Sequence, residues 1–139
     1  MGGSTFAVSA TVNRSGYEAC KAMDGNTSTY YDSTSTNTGD YVFYNPELLK
    51  CTKLVFTNYD SNYNLSSCIL YGSDDNVNYT QLTTTFATSG SNQTVTISKP
   101  TFYKYYKIHY TKGTYPWSLC ELAITASLKL FDLYFIIKY

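Results

Sequence analysis

The run 103–111 places Tyr106, Ile108 and Tyr110 on one side of an extended chain and Lys107, His109 and Thr111 on the other. Period-two alternation of this kind buries one face and wets the other, so the first three residues are expected in a core. Five further runs, at 41–44, 53–58, 67–73, 93–98 and 119–126, are short, rich in β-branched and aromatic residues, and bounded by Asn, Asp, Gly, Ser or Pro. No helical period competes before the last dozen residues. Several such strands at this spacing imply two packed antiparallel sheets. With 139 residues and neither an internal repeat nor a flexible linker, the chain reads as one domain with room for a proper core.

Charge and cysteine content narrow the function. Ten basic and 10 acidic side chains cancel to a net charge of +0, and no Lys/Arg cluster appears, so neither nucleic acid nor an anionic membrane is implied as partner. The four cysteines, Cys20, Cys51, Cys68 and Cys120, are too sparse for a disulfide scaffold and form no zinc-type pair spacing. The opening Met1-Gly2-Gly3-Ser4 has no apolar segment of the secretory type, and the 128–139 tail is apolar but too short to cross a bilayer. That tail is expected to pack on the domain or to drive self-association.

Chemistry concentrates in the loops. Asp24, Asn26 and Thr29 place oxygen donors around Gly25, a spacing suited to a loop that wraps a hard cation, because calcium takes roughly six to eight oxygens. Glu121, set in the apolar stretch 117–122, is a carboxylate in need of a partner and a candidate to close that cage from afar. The same residues also read as an ordinary turn and a solvated glutamate. In the 58–64 loop, Tyr59, Asp60, Asn62 and Tyr63 alternate rings with hydrogen-bonding groups, and Tyr115 and Trp117 add two more rings before the last run. Flat rings beside amide and carboxylate groups match a sugar, which offers an apolar C–H face fringed by hydroxyls; the competing reading has Tyr59 and Tyr63 covering the core edge and Trp117 anchoring the core with its N–H on a carbonyl.

Three motifs, Ala22-Met23-Asp24-Gly25-Asn26-x-x-Thr29-x-Tyr31, Gly72-Ser73-x-Asp75-Asn76-x-x-Tyr79 and Cys120-Glu121-Leu122, together resemble the discoidin, or coagulation-factor C-type, domain and within it the family 32 carbohydrate-binding modules. Tyr31 and Tyr79 stand where that family carries tryptophan, and Asn76 where it carries glycine. The resemblance implies an all-β fold, an eight-stranded jelly-roll sandwich of the galactose-binding-like type over residues 1–126, with 127–139 as an apolar extension. It also implies a structural calcium held by the carbonyl of Lys21, the side chains of Asp24 and Asn26, Thr29, the carbonyl of Cys120 and the carboxylate of Glu121. That arrangement would bring Cys20 and Cys120 into one neighbourhood, where a bridge requires disulfide geometry as well as adjacency.

The function expected is non-catalytic, lectin-like recognition of a neutral glycan, in an extracellular or surface-exposed setting. A protein-binding or oligomerising adhesion module on the same fold is the competing reading. Catalysis is not expected. The single His109 has no evident nucleophile, and Asp32, Asp40, Asp60, Asp74 and Asp75 all sit in turn-like segments. The chain also lacks the His and Arg that galactose-binding relatives use in their loops, apart from Arg14 near the start, so the identity of the sugar does not carry over.

Overall fold

The computed structural model describes residues 6–129. It contains eight strands, β1 (Ala7–Ala10), β2 (Tyr31–Asp32), β3 (Thr38–Asn58), β4 (Leu65–Ser73), β5 (Thr80–Gln81), β6 (Asn92–Thr96), β7 (Phe102–Lys112) and β8 (Ser118–Leu128), with a 3-10 helix at Ala19–Met23. Every strand pairing is antiparallel. The expected runs at 41–44 and 53–58 turn out to be the two halves of one strand, β3, which is 21 residues long.

β3 organises the domain. Its first half pairs with β1 and β7, and β4 and β5 continue that layer; its second half pairs with β6 and β8, with β2 at the edge beyond β8. Between the halves, the register against β7 shifts from Tyr44 to Leu49. Pro46 lies in this interval and has no N–H to give to a ladder, so hydrogen bonding is interrupted where the strand passes from one layer to the other. A single hydrogen-bonded sheet thereby folds over itself as the jelly-roll sandwich.

The alternation read from sequence holds. Tyr106, Ile108 and Tyr110 are buried, alongside Tyr41 and Phe43 of β3 and Cys68 and Leu70 of β4. Leu54, Phe56, Val95, Leu119 and Leu122 face them from the other layer. Across the middle stands Trp117, whose ring lies 4.9 Å from Tyr110, 5.6 Å from Tyr31, 5.9 Å from Tyr41 and 6.3 Å from Phe56. Its indole N–H donates to Asn58 Oδ1 at 3.0 Å, and the Asn58 amide in turn donates to Thr88 Oγ1 and the carbonyl of Gly90. A buried indole needs that acceptor, because an unmatched polar group in a core carries its full desolvation cost.

The second family-like motif builds a turn rather than a site. Asn76 takes φ 60°, as the substitution of asparagine for glycine requires. Asp75 accepts hydrogen bonds from the backbone N–H of Val77 and Asn78 and from the Ser73 hydroxyl, which hold its carboxyl well below the usual carboxylate range.

β8 spans Ser118–Leu128, longer than the run read at 119–126, and residues 130–139 of the apolar tail lie outside the described residues. All four cysteines are free, so Cys20 and Cys120 are not bridged; Cys51, Cys68 and Cys120 are buried, and loss of hydration pushes the Cys51 thiol up to about 12.

Replacing Trp117 by Phe is expected to destabilise the domain by about 2–4 kcal/mol, from the lost volume and the orphaned Asn58 acceptor. Urea unfolding of the purified variant measures it, and a loss under about 0.5 kcal/mol would contradict the central role of this ring.

Candidate functional site

The 3-10 helix delivers the chain into the 24–29 loop, whose reversal depends on Gly25 at φ +73°, a conformation that side chains resist. Asx-type bonds shape the rest of the loop: Asp24 Oδ1 accepts from the Asn26 N–H at 2.9 Å, and Asn26 Oδ1 from the Ser28 N–H at 3.0 Å. The Thr29 hydroxyl then meets three acceptors, Asp24 Oδ2 at 2.6 Å, the Asn26 carbonyl at 2.9 Å and the Lys21 carbonyl at 3.5 Å. One hydroxyl proton serves only one of them at a time. Several oxygens therefore converge on a point with more lone pairs than protons.

Glu121 approaches this loop from β8. Leu119 pairs with Asn58 and Glu121 with Thr57, so Cys120 is the extra residue of a bulge on β8, and a bulge of this kind re-aims neighbouring side chains. Burial and the facing Asp24 carboxylate raise the Glu121 pKa, with the Gly25 N–H pulling weakly the other way. Its Oε2 is buried with no hydrogen-bond partner. Two carboxylates from distant parts of the chain thus lie close enough to repel each other, and an orphaned buried oxygen on one of them calls for a positive partner. Among the described residues no cluster of three or more His, Cys, Asp or Glu side chains is present; the other donors at this centre are hydroxyl and carbonyl oxygens.

Of the expected donors, Lys21, Asp24 and Thr29 meet at the Thr29 hydroxyl, and Glu121 lies near enough to Asp24 to feel its charge. Asn26 differs in detail: its backbone carbonyl, not the side-chain oxygen, faces Thr29, because Oδ1 is occupied by the Ser28 N–H. Cys120 sits at the bulge beside Glu121.

A second feature lies across the neighbouring loops. Tyr17, Tyr30, Tyr59, Tyr63 and Tyr115 form an unbroken line of rings, with successive centroids 4.7, 4.9, 5.6 and 5.3 Å apart. Tyr59 is 54% and Tyr115 49% exposed, although large aromatic side chains usually hide more of their surface. The 59–63 loop is tied down by the Tyr59 N–H to the Ser118 carbonyl at 2.8 Å and the Ser118 N–H to the Tyr63 carbonyl at 3.3 Å. Asp60 Oδ1 accepts from the Asn62 N–H at 2.7 Å, which folds the loop tip and places both polar side chains beside the two rings. At the far end, the Arg14 guanidinium lies 4.8 Å over the Tyr17 ring and 3.5 Å from Asp32.

The structure corrects one expectation about ring stacking. Trp117 is fully buried and has no face left for a ligand, because its ring is the centre of the core and its N–H is spent on Asn58. Tyr17 and Tyr30 belong to the line of rings and were missed from sequence. Each sits among polar residues in a segment where a single tyrosine looks like an ordinary surface residue, and only the fold sets them against Tyr59.

Comparison with known proteins places this architecture. The sequence profile of the F5/8 type C domain matches residues 6–122. Among solved structures, the family 32 carbohydrate-binding module of Clostridium perfringens NanJ, solved in complex with galactose, superposes with a TM-score of 0.77 at 20% identity, covering 90% of this chain and 96% of that one. Chitosan-binding module 1 from a chitosanase/glucanase of Paenibacillus sp. IK-5 gives 0.76 at 23% identity, covering 87% and 95%. The C-terminal domain of a chitobiase from Bacteroides fragilis gives 0.79 at 14% identity, covering 94% and 99%. No curated protein matches the chain. An antiparallel jelly-roll sandwich shared with such modules defines the class, a galactose-binding-like β-sandwich. The chain belongs to the F5/8 type C, or discoidin, family.

Gly25→Ala is expected to cost about 1–2 kcal/mol, since a Cβ at this φ is strained even though space is open around it. Thermal or urea unfolding measures the loss; an unchanged midpoint would mean that the 24–29 loop relaxes freely.

Proposed function

We propose that this domain is a non-catalytic carbohydrate-binding module that stacks glycan on its line of loop tyrosines and is stabilised by a structural calcium ion. The observation that carries the reading is the continuity of five rings drawn from four loops, of which Tyr59 and Tyr115 are about half exposed, with Asp60 and Asn62 in the same loop as Tyr59 and Tyr63. An aromatic surface with interleaved carboxylate and amide groups suits a neutral sugar, whose C–H face stacks while its hydroxyls find donors and acceptors. The similar structures named above as binding galactose or chitosan support a carbohydrate ligand. The natural setting would be a secreted or surface protein.

Calcium is the cation that the donors suit. Lys21, Asp24, Asn26, Thr29, Cys120 and Glu121 would hold it through oxygen, the ligand type hard cations select. Bound there, it supplies the positive charge that two facing carboxylates lack. Facing carboxylates are also what a glycosidase needs. Glu121 Oε2, however, is sealed from solvent and reaches no substrate oxygen, so the pair reads as ligands and not as a catalytic couple.

Tyr59→Ala and Tyr115→Ala are each expected to weaken binding on a glycan array or by calorimetry about five- to ten-fold while moving the melting temperature little, as fits rings that are half exposed. A variant that binds as well as the parent would remove that ring from the site.

EDTA is expected to lower the melting temperature, with calcium restoring it. Glu121→Gln separates the ion from simple loop stability: without calcium the variant should melt at or above the parent, because a buried charge facing Asp24 is gone. With calcium it should gain less than the parent. Equal calcium responses in the two proteins would defeat the proposed cage.

A further inference from the structure

We infer that the tyrosines are read lengthwise by an extended oligosaccharide, and that the cleft at their Tyr17–Tyr30 end is a subsite for one more sugar unit of that chain. This rests on the glycan reading above and adds the shape of the ligand to it. The rings form an open chain of contacts: each touches the next, and among the described residues no ring contact joins Tyr17 to Tyr115 and closes the set. A site for a single terminal sugar needs walls on several sides with polar groups converging on one point. Here the polar groups are spread out instead, with Asp60 and Asn62 beside Tyr59 and Tyr63, and Arg14, Lys21 and Ser28 at the other end.

That other end is hollow. Gly16, Tyr17, Lys21, Ser28, Thr29 and Tyr30 enclose a cleft of about 260 Å³. Its lining pairs two aromatic rings with hydroxyl and ammonium groups, so ring faces and hydrogen-bonding groups meet here as they do at Tyr59 and Tyr63. Outside the cleft lining, Arg14 lies over the Tyr17 ring with its side chain 59% exposed, so a cation with N–H donors stands next to this end of the chain of rings. Sugars linked in one chain occupy adjacent stacking positions without a new association cost, so affinity should climb with chain length until the line is filled.

Calorimetry with N-acetylchitooligosaccharide, β-galactan and cello-oligosaccharide ladders of one to six units, all neutral, provides the test. For whichever ladder binds, the hexamer should bind at least about ten-fold more tightly than the monosaccharide, and in Tyr17→Ala that ratio should fall most of the way to one. A monosaccharide that binds as tightly as the hexamer overturns the lengthwise reading and leaves glycan recognition standing. Failure of every ladder at every length removes glycan recognition and this inference with it. Side-chain NMR of tyrosine-labelled parent protein gives an answer that does not depend on a variant. Hexamer should shift both Tyr17 and Tyr115 resonances, and a hexamer that shifts Tyr59 and Tyr115 but leaves Tyr17 unmoved excludes the cleft as a subsite.

Discussion

The hydrogen bond from the Trp117 indole to Asn58, with the aromatic packing around it, is the constraint on which the rest of the structure depends. Trp117 is reached by Tyr31, Tyr41, Phe56 and Tyr110, so both layers close on one ring. Its backbone N–H donates to Ser33 Oγ at 2.9 Å, and the Ser33 N–H donates to its carbonyl at 3.0 Å. Asn58 ends β3 and immediately precedes the 59–63 loop, while Trp117 immediately precedes β8. Loops that carry Tyr59, Tyr63 and Tyr115 are therefore anchored from inside at their bases, which leaves the tips free to present rings.

The oxygen-rich loop and the line of tyrosines are neighbours in sequence. Thr29, where the oxygens of Lys21, Asp24 and Asn26 converge, directly precedes Tyr30, which lies between Tyr17 and Tyr59. Whatever orders the 24–29 loop also positions the Tyr17–Tyr30 end of the proposed glycan surface. The bulge at Cys120 completes this arrangement by turning Glu121 toward the loop, at the expense of a regular ladder with β3.

Much of the architecture was legible because alternation reports burial directly. Tyr106, Ile108 and Tyr110 had to share a face, and Asn76 tolerates the positive φ its turn demands. The short strands β1, β2 and β5 escaped notice because two to four residues carry no period; long-range partners alone make them strands. Trp117 misled for a related reason. A lone tryptophan near a loop fits a binding surface or a core anchor equally well from sequence, and the position of Tyr31 and Asn58 around it decided for the core.

Sequence alone determined the layered β fold, the balance of charge that leaves no pull toward polyanions, and the cluster of oxygen-bearing residues around Gly25. Each of these follows from local chemistry, from side-chain period, formal charge or turn preference. Only the tertiary structure decided that Glu121 meets Asp24, that β3 serves both layers, and that five tyrosines from residue 17 to residue 115 touch in a line. Those facts depend on contacts between distant segments, and no local preference encodes which loop will lie beside which once the sandwich has closed.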